Sequence, residues 1–151
     1  MTIAEQLATI DRLCAEEFPT AHSRSVAGSY GGFGGPGFHA VAWELSAGSL
    51  PGPEREREVA EQYEAEREAL AQRLSDRRGE SQWISLDGMF LRAQQGDERI
   101  PEPWALLSAH MRNVDVWKAE EVGRWIALGV SGTGRDAEPR LLVVITDIDP
   151  P

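Results

Sequence analysis

The sequence predicts an α+β fold: a largely antiparallel sheet with an N-terminal helix and one long helix, about 54–78, packed on one face. Three observations carry this. Segments 2–17 and 54–78 place apolar residues at helical spacing, whereas most of the remainder alternates or runs apolar over strand-sized lengths. Three consecutive strand patterns fill the last third of the chain. The final one, Leu141 to Ile145, is apolar on both faces, as a central strand covered on both sides must be. The 151 residues fit a single domain, 1–151. Folding at this length buries roughly 70% of the unfolded chain's surface, enough for a core without staples. The expected element order is αββαββαβββ.

Thr2-Ile3-Ala4-Glu5 has the capping-box pattern, in which the Thr hydroxyl takes the Glu5 amide and Glu5 reaches back. Ile3, Leu7, Ile10 and Cys14 follow at helical spacing, and Pro19 ends the pattern. Residues 23–29 and 38–46 read as strands, the second with His39, Val41, Trp43 and Leu45 on one face. The glycine-rich stretch GSYGGFGGPGF, residues 28–38, reads as the connection between them. Pro53 opens the long helix as a first-turn proline, and Gly79 closes it at a left-handed cap position. Glutamates gather near its start and arginines near its end, which suits the helix dipole. Val59, Tyr63, Leu70 and Leu74 make a thin stripe, interrupted by Glu66, that suits one edge of a core.

QWISLDGMFLRA, residues 82–93, predicts a β-hairpin around Asp87-Gly88 in a type I′ turn. That register would set Leu86 against Met89 and Trp83 against Arg92, with a Trp–Arg stack on the outer face. Residues 94–103 read as loop, and Trp104 to Arg112 as a short helix or turn. NVDVWKA, GRWIALGV and PRLLVVITDI are the last three strands.

The motifs that would signal catalysis fail on context. Gly32–Gly37 fits G-x-G-x-x-G, but an alternating strand pattern follows where a dinucleotide fold needs a helix N-terminus. A kinase glycine loop would need a lysine on the next strand, and HAVAWEL has none. His22, His39 and His110 stand singly in different elements, without the spacing of a metal site. Asp147 and Asp149 form a D-x-D on one side of a strand end, read as solvated. Ser131 lacks the surroundings of a nucleophile. The lone Cys14 falls on an apolar helix stripe, as a buried inert thiol. No catalytic residue, metal or cofactor is expected.

The formal net charge of −10 is spread along the chain and argues against nucleic acid or an anionic membrane as a partner. No apolar run approaches the ~20 residues of a membrane span. The N-terminal residues carry acids and no basic leader pattern, so the cytoplasm is the expected location. The expected function is therefore a small acidic protein-binding module, of the inhibitor, immunity-type or chaperone-adaptor kind, with a basic protein as partner. The candidate contact residues are Tyr30 and Phe33 on glycine hinges, and Trp83 and Arg92 on the hairpin. The alternative is an enzyme or small-ligand binder with dispersed site residues drawn from His39, His110, Arg124, Asp147 and Asp149. Five tryptophans leave open which of them lie in the core and which on a binding face.

Overall fold

The protein's computed structural model describes residues 2–21, 23–27, 30–44, 52–96, 99–131 and 139–151. Helix α1 (Ile3–Ala15) leads into strands β1 (Ser23–Ala27), β2 (Tyr30–Gly35) and β3 (Phe38–Trp43), then helix α2 (Gly52–Arg78). Strand β4 (Gln82–Ser85), helices α3 (Asp87–Gln95) and α4 (Trp104–His110), and strands β5 (Asn113–Ala119), β6 (Arg124–Ser131) and β7 (Arg140–Thr146) follow. The fold is α+β. One 7-stranded sheet runs in the spatial order β1-β2-β3-β7-β6-β5-β4, with every neighbouring pair antiparallel.

The last strand lies in the middle of the sheet and is buried on both faces, as its sequence predicts. Leu141, Val143 and Ile145 enter a core beneath α1 and α2 with Ile10, Leu70, Leu74, Trp43 and Trp117. Leu142 and Val144 enter a second core with Leu86, Met89, Trp104, Leu107 and Met111 from around α3 and α4. The long helix and α1 thus share one face, as expected, while α3 and α4 close the other. No described helix is long and apolar enough to cross a membrane.

Several local signals act as read. The Thr2 hydroxyl accepts the Glu5 amide at 3.2 Å, and the Thr2 amide donates to Glu5 Oε2 at 3.2 Å, completing the capping box. At the far end of α2, Gly79 adopts φ +89°, and its amide donates to Ser75 O at 2.8 Å.

Two expectations fail. The glycine-rich stretch is not merely a connection. Tyr30–Gly35 is itself a strand, paired with β1 on one side and β3 on the other. The turn to β3 is only Pro36-Gly37, with Gly37 at φ +86°, the residue order and positive φ of a type II turn. Close packing accounts for glycine at position 34. A Cβ there would come within 3.0 Å of Phe38 O and 3.1 Å of Pro19 Cγ.

The second failure is the Asp87-Gly88 hairpin. Asp87 opens α3, and Gly88 does not take the positive φ that a type I′ turn demands. Met, Leu, Arg, Ala and Gln after the dipeptide are strong helix formers. Leu86 and Met89, three apart, then face the same core. β4 finds its partner in β5 instead, with Trp83 opposite Asp115. The expected Trp83–Arg92 stack falls with the hairpin. Ile84 packs into the α3–α4 core, so Trp83, its neighbour in the pleat, points to the α2 side, away from α3 and Arg92.

Gly88→Ala separates the helix from the turn, and Gly129→Ala tests the close packing of β6. Gly88→Ala should raise stability by ~0.4–1 kcal/mol, since the nearest atom to the new Cβ is Arg92 Nη1 at 3.7 Å and a helix favours alanine. A fall in the denaturation midpoint would restore the turn. Gly129→Ala should destabilise by ~1–3 kcal/mol, because its Cβ would lie 2.7 Å from Met111 Sδ and 3.0 Å from Asn113 O.

Candidate functional site

α2 passes over the β5–β4 end of the sheet, and an open groove of about 760 Å³ runs between them. Glu61, Glu64 and Glu68 line it from the helix, at spacings that put them on one face. Trp83, Asn113 and Asp115 line it from the strands. Arg67 is the groove's cation, and it is held within the wall. It reaches Asp115 Oδ2 at 3.3 Å with side-chain exposures of 11% and 19%, and lies 3.8 Å from Glu64. Ser81 Oγ donates to the other Asp115 oxygen at 3.3 Å. The Arg67 charge is therefore matched by Asp115, and the surplus in the groove is negative.

Trp83 is 62% exposed. The other tryptophans have structural work. Trp43, Trp104 and Trp117 are buried. Trp104 Nε1 donates to Ile148 O at 2.9 Å, and Trp117 Nε1 to Ser75 Oγ at 3.3 Å. Trp125 Nε1 donates to Asp149 Oδ1 at 2.8 Å, with Lys118 Nζ 4.5 Å above its ring.

The other predicted contact residues part company. Phe33 is half-buried in β2, packed on the α3–α4 core and edge-on to Phe38 at 6.4 Å, so it is not carried on a hinged loop. The Tyr30 backbone pairs with Ala27 and Trp43 in the sheet; its side chain, like His22 and residues 132–138 after Ser131, lies outside the described residues. Arg92 sits on α3, across the sheet from the groove.

Of the dispersed candidates, the structure brings His39 and Arg124 together at the end of α1. Arg124 Nη1 donates to Leu13 O at 2.9 Å and Glu16 O at 2.6 Å. His39 Nε2 lies 3.3 Å from the same Glu16 oxygen. Phe18 packs against both, 3.9 Å from the guanidinium and 5.2 Å from the imidazole. These groups satisfy carbonyls that a helix C-terminus leaves open. A second cleft, about 250 Å³, lies beside them between α1 and the side-chain-free surface of Gly32 and Gly34. Its mouth carries the Arg12–Glu16 ion pair at 3.1 Å.

Asp147 and Asp149 follow β7 in the bend that ends the chain, and Asp149 is held by Trp125 and by Lys118 at 3.8 Å. His110 is the last residue of α4. Among the described residues, no three His, Cys, Asp or Glu side chains gather as a metal would require.

Among the described residues, two ionisable groups depart from their ordinary range. Burial in the α1 core pushes the Cys14 thiol up. Glu121 is held down by its own backbone amide and by Arg78 at 2.9 Å. Neither lines either cleft.

The groove residues Glu61, Glu64, Glu68, Arg67 and Asp115 are absent from the sequence-based candidates. The spacing of the three glutamates was the available signal, but their meeting with Trp83 depends on the pairing of β4 with β5. Comparison with known proteins found no matching family model, no similar curated protein and no similar solved structure.

Arg124→Met should cost ~2 kcal/mol by leaving two carbonyls without their charged donor, read from the denaturation midpoint. Cys14 should also mark the pH dependence of stability. Its raised folded pKa means the unfolded chain ionises first, so its contribution is complete below its ordinary value of 9.0 and is lost as pH climbs through the folded value. The stability advantage of wild type over Cys14→Ala should accordingly shrink above that pH. A constant difference would mean that the thiol is not shielded.

Proposed function

We propose that the protein is a small acidic binding module that holds a basic protein partner in the α2–β4 groove. It catalyses no reaction and uses no cofactor, and it works in the cytoplasm as an inhibitor, immunity-type protein or chaperone-like adaptor does. The observation that carries this is Trp83, exposed in a groove whose described lining sets the carboxylates of Glu61, Glu64, Glu68 and Asp115 against the single cation of Arg67. An aromatic face flanked by negative charge suits an arginine or lysine, through cation–π contact and Coulomb attraction together. Tryptophan is also among the side chains enriched where a few residues dominate binding energy.

The catalytic alternative has weaker support. His39 and Arg124 are engaged at the end of α1, and Asp149 is engaged by Trp125 and Lys118.

The test is capture of the native partner from cytosol, followed by kinetics on the purified pair. The partner should be basic. Association should slow as salt shortens the Debye length from ~10 Å at 0.1 M to ~3 Å at 1 M. Trp83→Ala should speed dissociation, weakening binding by ~2 kcal/mol or more, with an unchanged unfolding midpoint. An acidic partner, salt-independent association, or wild-type affinity in Trp83→Ala would each contradict the proposal.

A further inference from the structure

β4 is the last strand on its side of the sheet. Its hydrogen-bond phase tells which backbone groups face outward. The Leu86 amide donates to Arg112 O at 2.7 Å, so this residue pair is a bonded one. Bonded and non-bonded pairs alternate along an antiparallel ladder. Ile84 opposite Val114 and Gln82 opposite Val116 are therefore the next bonded pairs. Trp83 and Ser85, opposite Asp115 and Asn113, turn their N–H and C=O groups away from β5, toward the free edge. Among the described residues, no hydrogen bond from another element closes that side. The residue that bears the exposed tryptophan is thus also one whose backbone is open to pairing.

Resting on the binding reading above, we propose that the partner contributes an extended, basic segment that adds to β4 as an eighth strand. Backbone bonds to Trp83 and Ser85 would supply the hold, as in other strand-addition complexes. Alternate side chains of the segment would point into the groove. There, lysine or arginine meets the Trp83 ring and the carboxylates of Glu61, Glu64 and Glu68. Charge selects this occupant over a second copy of the chain. Two β4 edges side by side would bring two such acidic rows together, which like-charge repulsion opposes. The shortness of β4, Gln82–Ser85, also guards the edge against indiscriminate pairing.

The probe is a capped hexapeptide of alternating lysine and valine. Two further forms are N-methylated, one at every lysine and the other at every valine. In a strand, alternate amides face opposite edges, so only one of the methylated forms blocks pairing with β4. By calorimetric titration the parent peptide should bind saturably, one methylated form should match it, and the other should bind at least about tenfold more weakly. Ser85→Pro removes an outward N–H and spares the β5 ladder. It should weaken the parent by about tenfold and leave the unfolding midpoint in place. Glu64→Gln with Glu68→Gln should weaken all three peptides.

Equal binding of all three peptides to wild type and Ser85→Pro would overturn strand addition, while the charge effect of the glutamate variants would still uphold the acidic groove. A collapse of stability in Ser85→Pro would overturn the outward assignment of its amide. Dimerisation abolished by Ser85→Pro would overturn the choice of occupant. Peptide binding indifferent to both glutamates would overturn the groove reading itself.

Discussion

Every layer of this protein depends on the pairing of β7 with β3 on one side and β6 on the other. β7 contributes the last strand and takes the middle place. It joins a three-strand meander from the first third of the chain to the β6-β5-β4 half. Because its residues are apolar on both faces, neither face can be left to water. Covering each of them means burying apolar side chains at roughly 25 cal/mol per Å². That constraint accounts for helices on both sides. α1 and α2 bury Leu7, Ile10, Leu70 and Leu74 over one face. α3 and α4 bury Met89, Trp104 and Leu107 over the other. Once the centre is occupied in this way, β4 is left at the far margin, where its outer edge and Trp83 meet water.

Much of this was legible wherever one local rule and the tertiary structure agree. Thr2 and Glu5 cap α1, Gly79 caps α2, and Leu141 to Ile145 announce a doubly covered strand. The failures have physical causes. Asp87-Gly88 is a strong turn signal by itself. It lost to the helix propensity of the residues that follow, and to the pairing of β4 with β5, which takes the partner that the hairpin would have supplied. The glycine strand was hidden because glycine has no side chain to show an alternation. Its strand character comes from β1 and β3, which pair with it on both sides. Trp83 was read as a contact residue, but the carboxylates beside it could not be found from periodicity. They belong to α2, and they meet Trp83 only through the nonlocal pairing of β4 with β5.

The same division separates structure from function among the conspicuous residues. His39, Arg124, Asp149 and Trp125 are the kinds of side chain from which active sites are built, yet each closes a local polar need. The first two meet α1's last carbonyls, and the other two hold the C-terminal tail. Arg67 and Asp115 likewise neutralise one another within the groove wall. Among the described residues this leaves a short sheet edge, an exposed indole and a groove in which carboxylates outnumber the one cation, Arg67. Those remaining groups supply hydrogen bonds, a cation-attracting face and negative potential.

Native-state amide hydrogen exchange measures the central constraint most directly. If β7 joins the two halves, the amides of Val143 and Val144 should exchange only when the whole molecule unfolds, and their exchange free energy should follow the global stability across denaturant. Those of β4 should open at lower cost. Exchange of Val143 and Val144 at a free energy well below global unfolding, or no slower than β4, would contradict the claim that β7 holds the fold together.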